Sequence, residues 1–158
     1  LQVIEVPEEI YDVLLTIAKR RGKSIEEVIL EALVKDLDPN MRIEIYLKLY
    51  MKYFDDAEKL YTKGDLVQAG EKYWGAVAAL INAIGERRNW NHYSHRDYSE
   101  IIERLSEELK EPLGRFFASV ERLHANYYHG FLSRMNFEAH KEDAVKLIQK
   151  LKGLVEAS

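Results

Sequence analysis

The sequence predicts an all-α protein: four or five antiparallel helices in an up-and-down bundle, with a short N-terminal appendage. Three observations predict it. Apolar residues recur at i, i+3, i+4 and i+7 over most of the chain from position 39 onward. Glycines, prolines and capping residues fall between those runs as punctuation. A chain of 158 residues, 47% hydrophobic and 32% charged, can fill one core and still present a charged surface.

Residues 1–38 form the appendage. VIEV, Val3 to Val6, alternates like a short strand. Pro7 suits a first helical position, and Glu8 and Glu9 favour the positive end of a helix. Ile10, Leu14, Ile17 and Ala18 follow at helical spacing. Lys19, Arg20 and Arg21 crowd the last turn before Gly22 stops it. Ser24 with Glu27 reads as a capping box, and Val28, Ile29, Ala32 and Leu33 give a second helix its apolar stripe. The strand-helix-helix order over VIEVPEEIYDVLLTIAKRRGKSIEEVILEAL resembles the ribbon-helix-helix fold; the alternative is a helical hairpin. A lone strand needs a partner for its backbone groups, and in that family a second chain supplies it. Alternation would turn Ile4 and Val6 inward and Val3 and Glu5 outward. Base edges are read by residues such as Arg, Lys, Asn or Gln, and Glu5 would face phosphates of its own sign. DNA binding through this ribbon is therefore disfavoured.

Residues 39–158 make the main domain, separated at Asp38-Pro39. Ile43, Tyr46, Leu47, Tyr50, Phe54, Ala57 and Tyr61 keep one apolar stripe until the Gly64-Asp65 turn. A second long helix runs from about Leu66 to Arg88, with Ala69, Gly70, Gly75, Ala76, Ala78 and Ala79 allowing close helix approach. The loop NWNHYSHRD follows. Asp97 is expected to cap a helix to Leu109, Pro112 to start the next, and a last helix to cover about Phe137 to Val155. The chain has no cysteine, which excludes disulfides, thiol nucleophiles and thiolate metal sites. No apolar run is long enough for a membrane helix and none resembles a signal peptide, so a cytoplasmic protein is expected. The net charge of −4 lowers the expectation of nucleic-acid binding without excluding a local basic patch.

LYTKGDLVQAGEKYWGAVAALINAIGERRNWNHYSHRD, with LDPNMRIEIYLKLYMKYFDDAEKLY before it and RLHANYYHGFL after it, resembles the archaeal PaREP-type family. That family is grouped with the HEPN helical superfamily. The resemblance spans roughly residues 37–155 and is most specific in GD-x-x-QA-x-EK-x-WGA and LH-x-N-x-Y. It implies a HEPN-like up-down bundle, often dimeric. Other HEPN proteins include metal-independent RNases with an arginine and a histidine separated by four to six residues, and nucleotide- or protein-binding bundles. Fold-level likeness does not choose among these.

VERLHANYYHGFL, from Val120, concentrates the candidate chemistry. Arg122 and His129 are separated by six residues, close to two helical turns, so they share one face with Asn126. Arg115, Ser119 and Ser133 extend that stripe. Phe116, Val120, Leu123, His124, Tyr127 and Phe131 read as the opposite, apolar face. His124 is therefore expected to be a core polar residue paired with a neighbour; Glu71, His95 and Trp74 are the candidates. Arg122, Asn126 and His129 are the tentative catalytic set: a histidine can move a proton and an arginine can neutralise a phosphorane. His92, His95 and Asp97 have loop-like spacing rather than a zinc signature, and the family likeness explains His95 as part of a capping loop. Glu86 to Arg88 with Trp90 could hold a phosphate or a base, or simply form a charged helix end. His140 reads as a surface residue of the last helix.

The leading expectation is a non-enzymatic, homodimeric binding or assembly module with no cofactor and no metal. A protein partner or RNA remains open as ligand. The alternatives are a metal-independent, toxin-like endoribonuclease using Arg122 and His129, and a DNA-binding regulator acting through the N-terminal ribbon.

Overall fold

The computed structural model describes residues 2–157. Among the described residues seven helices follow one another: α1 (Glu8–Arg21), α2 (Ile25–Val34), α3 (Pro39–Thr62), α4 (Leu66–Arg88), α5 (His95–Leu109), α6 (Leu113–His129) and α7 (Arg134–Ala157). The chain divides into two compact units, the first ending at Asp38 and the second beginning at Pro39. No helix among the described residues is long and apolar enough to cross a membrane.

The first unit is a helical hairpin. Gly22 ends α1 in the left-handed region at φ 63°, where a side chain would be strained, and Lys23 N–H returns to Ala18 O at 3.0 Å. Ser24 and Glu27 exchange the two hydrogen bonds of a capping box at the start of α2. Glu31 accepts from both Arg21 and Lys23 across the turn. Ala18, Val28 and Val34 are buried. The strand expected at Val3 to Val6 is not formed, and no strand occurs among the described residues. The physical reason is the missing ladder: a single segment of this length has nothing within the chain to pair with. Val3 is 87% and Ile4 85% exposed, so the inward–outward alternation expected there is absent too.

The second unit is built around one helix. α4 packs against α3, α5, α6 and α7, and it is buried almost continuously from Ala69 to Gly85. A helix apolar all round belongs in a core, and its small residues let the neighbours close in. A methyl at Gly70 would lie 3.4 Å from Leu123 and Phe137; at Gly75 it would lie 3.1 Å from the Tyr53 ring. Leu80, Ile81, Ile84, Ile101, Leu105, Leu123, Phe137 and Leu151 complete the core.

Two boundaries differ from expectation, each for a capping reason. α5 starts at His95, not Asp97, because Ser94 is the cap and Asp97 the third residue of a capping box. The Tyr93 and Ser94 N–H groups, with the Ser94 hydroxyl, hold the Asp97 carboxyl below its usual range. α7 starts at Arg134 rather than Phe137, since Ser133 Oγ accepts the Asn136 N–H at 3.3 Å.

Candidate functional site

Trp74, midway along α4, is buried where α5 and α6 approach it. The His124 ring stacks on its indole with centroids 4.5 Å apart and planes 17° apart. The His95 ring stacks at 5.8 Å, and Phe117 and Tyr98 complete the surround. Each imidazole is tied to its own carboxylate: His124 Nδ1 lies 2.8 Å from Glu71, and His95 Nε2 lies 2.7 Å from Glu121. The structure thus brings together Trp74, Glu71, His95 and His124. The His124 and Glu71 side chains are half-buried, whereas His95 at the start of α5 is exposed. Tyr128 stands edge-on to His124 at 5.3 Å and is itself half open to solvent.

The face of α6 carrying Arg122, Asn126 and His129 is divided in use. α6 is continuous to His129, and Gly130 ends it at φ 58°. Arg122 and His129 are exposed, and the Arg122 guanidinium lies over the Phe131 ring at 4.6 Å. Asn126 is 3% exposed. Its side-chain oxygen accepts the N–H groups of Phe131 and Leu132, both at 2.8 Å, so it holds the turn that leaves the helix. A short polar side chain one turn from a helix end can reach the orphan backbone groups beyond it. Tyr127 and Phe131, expected on the apolar face, are both partly exposed because the helix ends between them.

Beside Arg122 the structure assembles a cluster that spacing rules do not reveal. The Ser119 hydroxyl donates to Asp143 Oδ2 at 2.6 Å, and His140 Nδ1 lies 2.9 Å from Ser119 Oγ. With its proton committed to the carboxylate, Ser119 Oγ can only accept from His140, which places the imidazole proton on Nδ1 and leaves Nε2 as the free lone pair. Partial burial and the Arg122 charge push the His140 pKa below its ordinary value, against an opposing pull from Asp143.

His92 is buried rather than a loop histidine available for metal. Its ring nitrogens lie 3.0 Å from Asn82 Oδ1 and 2.8 Å from Glu86 Oε1, and its ring stands perpendicular to that of Tyr46, with centroids 5.8 Å apart. Arg42 approaches the other Glu86 oxygen at 3.7 Å. Gly85 makes room for the ring: a Cβ there would lie 2.8 Å from it. His92, His95 and Asp97 therefore serve three separate local contacts. Among the described residues no group of three or more His, Asp or Glu side chains is arranged to hold a metal ion. Trp90 receives the guanidinium of Arg88 at 5.1 Å and that of Arg104 at 5.0 Å, and Arg88 also pairs with Glu108. Gly85 and Glu86 were the available sequence signals for the His92 contact, but no periodic rule links a helix end to a loop residue six positions on.

The helix order and the Trp74–His124–Glu71 grouping join the QAGEKYWGA and LHANYYHG segments in space. Residues 45–148 match the family model described as the archaeal PaREP1/PaREP8 family. The chain belongs to that family. No curated protein and no solved structure shows a match to this PaREP chain.

Proposed function

We propose that this PaREP protein is a homodimeric binding or assembly module, with the first unit pairing two chains and the helical bundle presenting the recognition surface. One observation carries the reading: the first unit leaves Val3, Ile4, Val6, Ile10, Val13, Ile29 and Leu33 exposed. Ile10 with Val13 and Ile29 with Leu33 lie one helical turn apart, so each helix of this small unit carries paired apolar side chains in solvent, which marks an interaction site. The partner that fits is a second copy. α1 is acidic in its first turn, at Glu8 and Glu9, and basic in its last, at Lys19, Arg20 and Arg21. Two such helices laid antiparallel about a twofold axis set each acidic end against a basic end. We further read the bundle as HEPN-like on its helix order and its LH-x-N-x-Y element. Binding is favoured over RNA cleavage because Asn126, the third member of the tentative catalytic set, has its side-chain oxygen occupied by the Phe131 and Leu132 N–H groups.

Light scattering on the intact chain tests this. The wild type is expected to run as a dimer at micromolar concentration, and the Ile10→Glu/Val13→Glu double variant as a monomer with unchanged helical circular dichroism. A monomeric wild type, or a variant that stays dimeric, overturns the proposal.

A further inference from the structure

Four aromatic rings meet where side chains of α3 and α7 come together over α4. The Tyr61 ring, near the end of α3, lies nearly parallel to that of Phe137 on α7, with centroids 6.2 Å apart. Tyr73 on α4 is met edge-on by Phe54 at 6.3 Å. A cation already stands among them: Lys141 Nζ lies 3.9 Å from the Tyr61 centroid and 6.0 Å from that of Tyr73. Lys48, Lys59, Lys146 and Lys150 each pair with a carboxylate. Lys141 does not: among the described residues no carboxylate lies within ion-pair distance of its ammonium, which is held on ring faces. The two phenols suit that role. Tyr61 donates to both oxygens of Glu138 at 2.8 Å, and Tyr73 donates to Glu58 at 2.6 Å. The bond to Glu138 above all holds the Tyr61 pKa above its ordinary value, and burial above all does so for Tyr73. A phenol donating to a carboxylate has a more electron-rich ring, and its face attracts an ammonium more strongly.

Beside this cage a groove of about 620 Å³ opens along α7, with Glu138, Lys141, Glu142 and Val145 among its walls. That volume suits a small molecule. Glu142 is paired there only with Lys146, one turn on, and both side chains are at least half exposed. A surface pair of this kind exchanges its partner at little cost. We propose that the cage and groove bind a linear polyamine, with one ammonium on the Tyr61 face, the methylene chain against Val145 and the next ammonium at Glu142. Lys141 is then the internal occupant that the ligand displaces. Val145 stands one turn beyond Lys141, about 5.4 Å along the axis, which is the reach of a short methylene spacer. A metal ion fits poorly, because no group of three or more His, Asp or Glu side chains converges to hold one among the described residues. An anion would be repelled by Glu58 and Glu138. A single alkylammonium would fill the cage and leave the groove empty. The site lies wholly within the second unit and does not depend on the pairing of chains proposed above.

Isothermal titration calorimetry of the intact chain with spermidine, at constant ionic strength, tests the assignment. Spermidine is expected to bind at a single site per chain, and butylamine, which engages only the cage, about tenfold more weakly. Lys141→Met empties the cage. It is expected to tighten spermidine binding about tenfold, because the competent fraction is no longer reduced by the internal ammonium. Tyr61→Leu is expected to weaken binding about tenfold, whereas Tyr61→Phe, which keeps the ring, stays within about threefold of the wild type. The Ile10→Glu/Val13→Glu variant is expected to bind as the wild type does, so the failure of this proposal and that of the dimer are read separately. Absence of binding in both the wild type and Lys141→Met overturns the proposal. So does equal affinity for butylamine and spermidine, or displacement of spermidine by magnesium at equal charge, the pattern of unspecific attraction to surface carboxylates. Weaker binding by Lys141→Met, or a Tyr61→Phe variant as weak as Tyr61→Leu, overturns it as well.

Discussion

His140 shows how one side chain couples to charge two contacts away. Its Nδ1–H rests on Ser119, whose own proton goes to Asp143, and burial with Arg122 nearby favours the neutral ring. The folded pKa lies below the unfolded value near 6.5. Between the two, the unfolded chain binds more protons, so stability rises with pH through that window and is lost as pH falls below about 6.5. The melting temperature of His140→Gln is expected to fall less than that of the wild type between neutral pH and pH about 5. Parallel pH profiles for the two proteins would contradict this. Asp97 and Glu108, held below their usual values by hydrogen bonds and, for Glu108, by Arg88, contribute stability that is lost at lower pH, as pH falls from the ordinary carboxylate range through their lowered values. None of the Ser119 relay was legible in the sequence. Helical spacing puts Ser119 and Asn126 on a polar stripe with Arg122, but it carries no information about α7, 21 residues away from Ser119 at His140. Asn126 misleads for a related reason: a buried asparagine serving a helix exit has the same periodicity as one facing water.

At the scale of elements, the helices themselves were legible because each has an apolar stripe and a chemical stop. Their boundaries moved only where a serine took the capping position. What the stripes did not disclose is that α4 has no outward face over most of its length, and that glycines within helices differ in purpose. Gly85 faces the His92 ring, where an added methyl would sit 2.8 Å from Cβ and Cδ2. Gly153 on α7 has no atom within 4 Å of that position. Gly85→Ala is expected to destabilise the protein by about 1–3 kcal/mol through overpacking. Gly153→Ala is expected to stabilise it by up to about 1 kcal/mol, from the better helix propensity of alanine. Urea denaturation with unchanged m-values measures both. A stabilised Gly85→Ala variant would mean that the ring contact with Asn82 and Glu86 does not hold the 89–94 loop in place.

The whole molecule joins two units with unequal means of support. The second has a continuous core around α4. The first, ending at Asp38, buries only Ala18, Val28 and Val34 among the apolar side chains of its described residues. A segment of about 40 residues is at the limit of what a core alone sustains, and segments of this size usually need a staple or a partner. Self-pairing, if it buries the exposed row from Val3 to Val13, makes the stability of this unit depend on chain concentration, because only the folded form can dimerise. Thermal unfolding followed by circular dichroism is then expected to show two transitions. The lower one should rise by about 5 °C for each tenfold increase in concentration, and the upper one should stay fixed. In Ile10→Glu/Val13→Glu the lower transition should become independent of concentration and move down, with the bundle transition unchanged. A single transition that ignores concentration in both proteins would mean that the hairpin draws its stability from within the chain.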